Sequence, residues 1–236
     1  MAFVKNDSGI VDGGTNSATT IVIALAATAA SGSTIVGIIS CDAGATLSSV
    51  TDDKSNTYNL ETTLVDTVDN QRVQCFSLSN ITNGPQTITA NLSSSVQARS
   101  GLIEAWTGAL AAADARSTGG RGGQYQGSVG TGANAITSTA FTPADNGCLI
   151  WGATADTSAV ASTVSAGTGF TLGTNNSATA GVTAALTSEN QTQTTAASIA
   201  ATFTQTATTQ RCASMISFKP AAGAGDTLQP QTMKMM

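Results

Sequence analysis

Residues 32–37 read GSTIVG and residues 147–152 read GCLIWG. Each is a short apolar run bracketed by glycine. Such runs mark a buried strand better than a helix, which needs a longer periodic stretch. The pair anchors a longer correspondence. NTYNL (56–60) matches TGFTLG (168–173), which sets Tyr58 opposite Phe170. RVQCFSLSNITNGPQTITANL (72–92) matches GVTAALTSENQTQTTAASIAATF (181–203), with Ile88 opposite Ile199. GLIEAWTG (101–108) matches ASMISFKP (213–220), with Trp106 opposite Phe218. One half of the chain is therefore a diverged copy of the other.

Outward from these anchors the same texture continues. Runs rich in Val, Ile and Thr are separated by Gly, Asn, Asp and Ser, the signature of an all-β chain. The expected architecture is a large two-sheet, jelly-roll-like sandwich over residues 18–221. It divides into half one (18–107), a crossover (108–133) and half two (134–221). Residues 1–17 form an arm and residues 222–236 a tail. The alternative is two tandem immunoglobulin-like sandwiches. The merged form is preferred because each half is poor in aromatics and small domains bury proportionally less surface. GALAAADAR (108–116) is the best helix candidate. Residues 21–40 carry no charge over about a membrane span, but Gly32 and its serine neighbours break the run. Two strands are expected there.

Composition narrows the chemistry. Charged residues are 10% of the 236, and the net charge is −5. With no Lys/Arg cluster to neutralise phosphates, no nucleic-acid partner is expected. Histidine is absent, which removes Ser-His-Asp and Cys-His catalysis and imidazole-ligated zinc. Cys41, Cys75, Cys148 and Cys212 form no C-x-x-C pair and read as buried thiols or disulfide partners. The N-terminus lacks a charged segment followed by an apolar run, so no secretory signal is expected. No cofactor or metal is expected either.

The densest charge lies in SSVTDDKSNTYNL (48–60). Asp52, Asp53, Ser55 and Asn56 offer oxygens to a cation. Yet the calcium-loop pattern is missing, and Lys54 sits among the acids. The same residue types close turns through side-chain to backbone bonds, so a hairpin turn is expected. Glu104 shares a strand face with Leu102 and Trp106. A carboxyl among apolar neighbours can serve as a general acid, but a glycosidase needs a second carboxylate nearby. The equivalent strand, ASMISFKP, offers none. Asp114 and Asp156 are loop acids with no stronger claim. The Gly-rich loop 117–133 is not a phosphate loop. Arg116, Arg121 and Tyr125 are its candidate partner contacts. Met233, Met235 and Met236 are adaptable apolar side chains suited to a partner's groove.

GSTIVGIIS, SSVTDDKSNTY, ITANLSSS, GLIEAWTG, GCLIWGAT and ASMISFKPA, in that order, resemble β-sandwich proteins common in phage and prophage genomes. There a Val-Thr-Asp-x-x-Gly-Asn-x-Tyr turn precedes a Glu-[Tyr/Trp]-Ser-Gly-like strand, and a terminal strand reads roughly Ala-Phe-Lys-Pro. The likeness covers residues 18–221. Ser55 stands where that turn carries Gly, and Ala105 separates Glu104 from Trp106. The resemblance implies a virion accessory component: a capsid decoration, head-fibre or tail-associated protein on the virion surface. It would be a homo-oligomer bound to the major capsid or another virion protein, with no membrane partner and no catalytic residues. Two other functions compete. One is a receptor- or carbohydrate-binding module for a host glycan, which needs exposed rings from Trp106, Trp151, Tyr58 or Tyr125. The other is a hydrolase built on Glu104.

Overall fold

The computed structural model describes residues 2–12, 16–66, 70–109, 129–156, 163–175 and 184–221. All regular structure among them is β. Half one supplies β1 (Val4–Asp12), β2 (Ala18–Ala24), β3 (Thr34–Asp42), β4 (Leu47–Asp52), β5 (Asn59–Asp66), β6 (Gln71–Leu78), β7 (Thr87–Val96) and β8 (Arg99–Thr107). Half two supplies β9 (Val129–Thr137), β10 (Cys148–Asp156), β11 (Val164–Ser165), β12 (Thr171–Asn175), β13 (Ala185–Gln193) and β14 (Thr202–Phe218). Residues 4–12, within the expected arm, thus form a strand, and β9 begins inside the expected crossover. Most of the candidate helix lies outside the described residues.

The strands form three antiparallel sheets. One runs β1-β8-β3-β6-β5, the second β2-β7-β4, and the third β11-β14-β10-β13-β12 with β9 also on β14. The order 1-8-3-6 facing 2-7-4 is that of an eight-stranded jelly roll whose fifth strand has joined the larger sheet. Half two repeats it with fewer breaks. β9 pairs Val129 with Cys212 as it starts and Thr137 with Thr202 as it ends, so it does the work of both β1 and β2. β14, 17 residues long, does the work of β7 and β8.

The pairing register carries the repeat. Gly37 lies opposite Phe76 and Ile103; Gly152 lies opposite Glu189 and Met215. Val36 lies opposite Ser77 and Glu104; Trp151 lies opposite Asn190 and Ile216. Because side chains alternate across a strand, a one-residue slip would have exchanged every face. The matching registers therefore place matching residues in matching layers.

Three sheets result, where a merged sandwich has two, because the large sheet is apolar on both faces. Ile35, Ile39, Phe76 and Ile103 pack toward the three-stranded sheet with Ile21, Ile23 and Ile88. Val36, Ile38, Leu102 and Trp106 pack the other way, onto Leu149, Trp151, Ile216 and Phe218 of half two. Half two closes its own far core with Ile136, Ile150, Phe203 and Met215. Each half is thus a sandwich of jelly-roll rather than immunoglobulin order, and the two share a third core between them.

The open edges are blunted. β1 bulges between Lys5 and Asp7, β5 between Leu60 and Thr63, and β12 between Leu172 and Asn175. Bulges twist an edge away from strand addition. The last two fall at equivalent places in the repeat, opposite Phe76 and Glu189.

Candidate functional site

The acidic stretch is a turn between β4 and β5. Asp52 Oδ1 accepts the N–H groups of Lys54 and Asn56, both at 2.9 Å. Its Oδ2 accepts from Asn56 Nδ2 at 2.8 Å and from the Tyr58 hydroxyl at 3.0 Å. Asp53 Oδ1 accepts the N–H groups of Gln86 and Thr87 at 3.0 and 3.3 Å. The oxygens that a cation would need are engaged by the turn itself. Tyr58 is buried, and desolvation, then the Asp52 charge, pushes its phenol well above its usual range.

Ser55 adopts φ +66° in this turn. A side chain in the left-handed region costs roughly 1–2 kcal/mol, a cost glycine escapes while losing more chain entropy on folding. Ser55→Gly is therefore expected to stabilise the chain by about 0.5–1 kcal/mol, raising the thermal midpoint by roughly 1–4 °C. A midpoint that falls on calorimetry would show that the serine hydroxyl contributes more than its backbone costs.

Among the described residues, Glu104 is the most elaborately held side chain. It projects from β8 into the shared core and is 0% exposed. Oε2 accepts both indole N–H groups, from Trp151 at 2.9 Å and Trp106 at 3.1 Å. Oε1 accepts the Ser188 hydroxyl at 2.7 Å, the Thr174 hydroxyl at 2.8 Å and the Thr174 N–H at 3.0 Å, with Lys5 Nζ at 3.4 Å. Gly173 lets β12 close over this knot: a Cβ there would lie 2.3 Å from Ser188 Oγ and 2.7 Å from Glu104 Oε1. A general acid must reach a substrate, whereas every lone pair here already faces a donor of the protein. In the repeat Ile216 takes the place of Glu104, so the knot lies on one side of the shared core only.

Half two holds further buried polar groups. Glu189 is 0% exposed and accepts the N–H groups of Gly167 at 2.8 Å and Thr202 at 2.9 Å. Burial pushes its carboxyl up to about 7, against the two N–H groups, which favour the ionised form. Asp156, expected in a loop, ends β10 in the core, where Gln205 Nε2 donates to it at 3.0 Å and Arg211 lies opposite. All four cysteines are buried thiols without a bridge. Desolvation pushes Cys41 to about 11 and Cys212 to about 12, which keeps them protonated and unreactive.

The rings proposed for sugar stacking are mostly enclosed. Trp106, Trp151 and Tyr58 are 5%, 0% and 4% exposed. Asp114, Arg116, Arg121, Tyr125, Met233, Met235 and Met236 lie outside the described residues. Two groups escaped the sequence reading. Glu189 sits in a run of Thr, Ser and Gln with no apolar flank to flag it. Arg99 donates to the carbonyls of Asn16, Thr20, Val96 and Gln97, gathering two corners of half one. The signal for Arg99 was the repeat: RSGLIEAW (99–106) and RCASMISF (211–218) align arginine on arginine. No family model, curated protein or solved structure matches this chain.

Proposed function

We propose that the chain is a structural component of a phage virion, a decoration or accessory protein on the capsid surface. It binds the major capsid protein or another virion protein through non-covalent contacts and works as a homo-oligomer rather than as an enzyme. The observation that carries the reading is the state of Glu104, the carboxyl with the best sequence claim to acid catalysis. Its oxygens are spent on six contacts, four of which reach across to half two. The phage assignment rests on the order of turns and strands that resembles virion accessory proteins. The Asp52 turn supports it, since Ser55 takes the left-handed conformation that the glycine of that pattern is suited to.

Blunted edges favour this use as well. A particle coat needs many copies that do not polymerise through strand addition before assembly, and repeated weak face contacts become strong under symmetry. The test is co-purification with assembled particles and the copy number found there. Many copies per particle support decoration, and a few place the chain at a tail or fibre. Absence from particles overturns the reading. So does glycan hydrolysis by the purified chain that Glu104→Gln abolishes while folding survives.

A further inference from the structure

The registers make the two sides of the shared core comparable residue by residue. With Gly37 matched to Gly152, Val36 matches Trp151, Glu104 matches Ile216, Cys75 matches Ser188 and Ser100 matches Cys212. Val36 and Trp151 both lie in the shared core, so the halves turn the same face toward each other. Strand order across the contact is reversed. β1 lies by β12, β8 by β13 and β5 by β14, so β1-β8-β3-β6-β5 faces β12-β13-β10-β14, the counterparts of β5, β6, β3 and β8. Strand direction is kept. The Ser100 hydroxyl donates to the Ala184 carbonyl at 3.0 Å and Ser188 to Glu104 at 2.7 Å, so β8 and β13 advance together. Equal faces, reversed order and kept direction define a two-fold axis along the strands, between β3 and β10. The far side of the axis agrees. Gln71 matches Ala184, so Cys212 belongs near Gln71; it lies in the field of Asp66, the strand neighbour of Gln71. Ile216 belongs near Cys75, and Cys75 bonds Ser214, the preceding residue on that face of β14.

We propose that the shared core is a homodimer-type interface carried within one chain, and that Glu104, Trp151 and Ser188 make it one-way: the half-one face accepts a half-two face and rejects its own copy. A contact about a two-fold axis is self-complementary in outline, so outline alone does not choose between like and unlike partners. The polar residues do. A half-one face laid on its copy would bring Val36 and Cys75 to Glu104 in place of Trp151 and Ser188. It would do so twice, burying two carboxylates short of an indole N–H and a hydroxyl each. A half-two face laid on its copy would bring Ile216 to Trp151 and Ser188, again twice, leaving those donors without an acceptor. Bulk points the same way, since the core holds one tryptophan and one valine at matched positions and a self-paired face would hold two of one. Like pairing is thus penalised on both sides while unlike pairing is satisfied, which is how a specific contact discriminates. This selection concerns the inner faces alone and stands whatever the outer surface binds.

The test uses the full chain and moves the selecting residues across the axis. Glu104→Ile, Val36→Trp and Cys75→Ser together give half one the residues of half two. Ile216→Glu, Trp151→Val and Ser188→Cys together do the reverse. Each triple variant makes the two faces alike at these positions. The sextuple variant, carrying both sets, restores unlike faces with the carboxylate on the other side. Urea unfolding read by circular dichroism compares the three with wild type. Each triple variant is expected to unfold at a clearly lower urea midpoint, and failure to fold counts as that loss. The sextuple variant, with twice the changes, is expected to unfold at a higher midpoint than either triple, because coupled residues do not lose stability additively. A sextuple variant that fails to exceed both triples overturns the proposal, whether it unfolds earlier or does not fold at all. A triple variant with the wild-type midpoint overturns it too, since like faces would then pair as well as unlike ones.

Discussion

Glu104→Ala is expected to lose on the order of 4 kcal/mol of folding stability. The loss comes less from the missing side chain than from what stays behind. Two indole N–H groups and two hydroxyls are left facing a cavity inside the shared core, while the Thr174 N–H keeps Ser188 Oγ at 2.7 Å. Each unsatisfied buried donor costs about 1–3 kcal/mol, although hydroxyls can turn to other acceptors and relieve some of it. Glu104→Gln keeps the shape and one acceptor but turns an amide N–H₂ toward existing donors, so a loss of about 2 kcal/mol is expected. Urea denaturation read by tryptophan fluorescence suits both variants, because Trp106 and Trp151 are the reporters at the site. A Glu104→Ala chain as stable as wild type would show that the knot contributes nothing net. Buried charges often return only what their desolvation cost.

The legible and illegible parts of the molecule divide on physical lines. Strand existence was readable because β3, β8 and β10 are buried on both faces, giving near-continuous apolar runs such as TIVGIIS that only a sheet interior explains. The repeat was readable because the glycines that admit a bulky cross-strand neighbour, Gly37 and Gly152, cannot drift without a clash. The Asp52 turn was readable because its bonds are local, spanning two to six residues. What stayed hidden was long-range. β1 carries VKNDSGIVD, with three charges, and becomes a strand only because β8 offers it an edge; Lys5 then turns inward to Glu104 across 99 positions of sequence. Glu189 was hidden for the same reason, since its partners lie on a loop and a strand that periodicity does not connect. The number of sheets was hidden because a two-sided apolar strand fits a two-sheet or a three-sheet stack equally well. Only the partition of Val36 and Ile38 to one face and of Ile35 and Ile39 to the other, each against a different sheet, decides it.

Trp151→Ala should rival Glu104→Ala, with a loss of about 3–5 kcal/mol. Trp151 is the largest fully buried side chain and lies in the shared core. Removing its ring leaves a void between the large sheet of half one and β10, and the sheets on either side are pinned by their own cores and collapse little. The milder Trp151→Phe keeps most of the ring and deletes the indole N–H, so a loss of about 1–2 kcal/mol is expected. Combined with Glu104→Ala it separates packing from the polar knot. If the indole and the carboxylate act as one unit, the double variant loses less than the two single losses added, by about 0.5–3 kcal/mol. Simple additivity would place the strength of the half-to-half contact in apolar packing alone. Glu104 would then fix which way the two sandwiches face rather than how tightly they hold. The distinction bears on the proposed role in a particle coat: a contact dominated by area can slide under load, and one pinned by four directed bonds from half two to a single carboxylate keeps its register until it breaks.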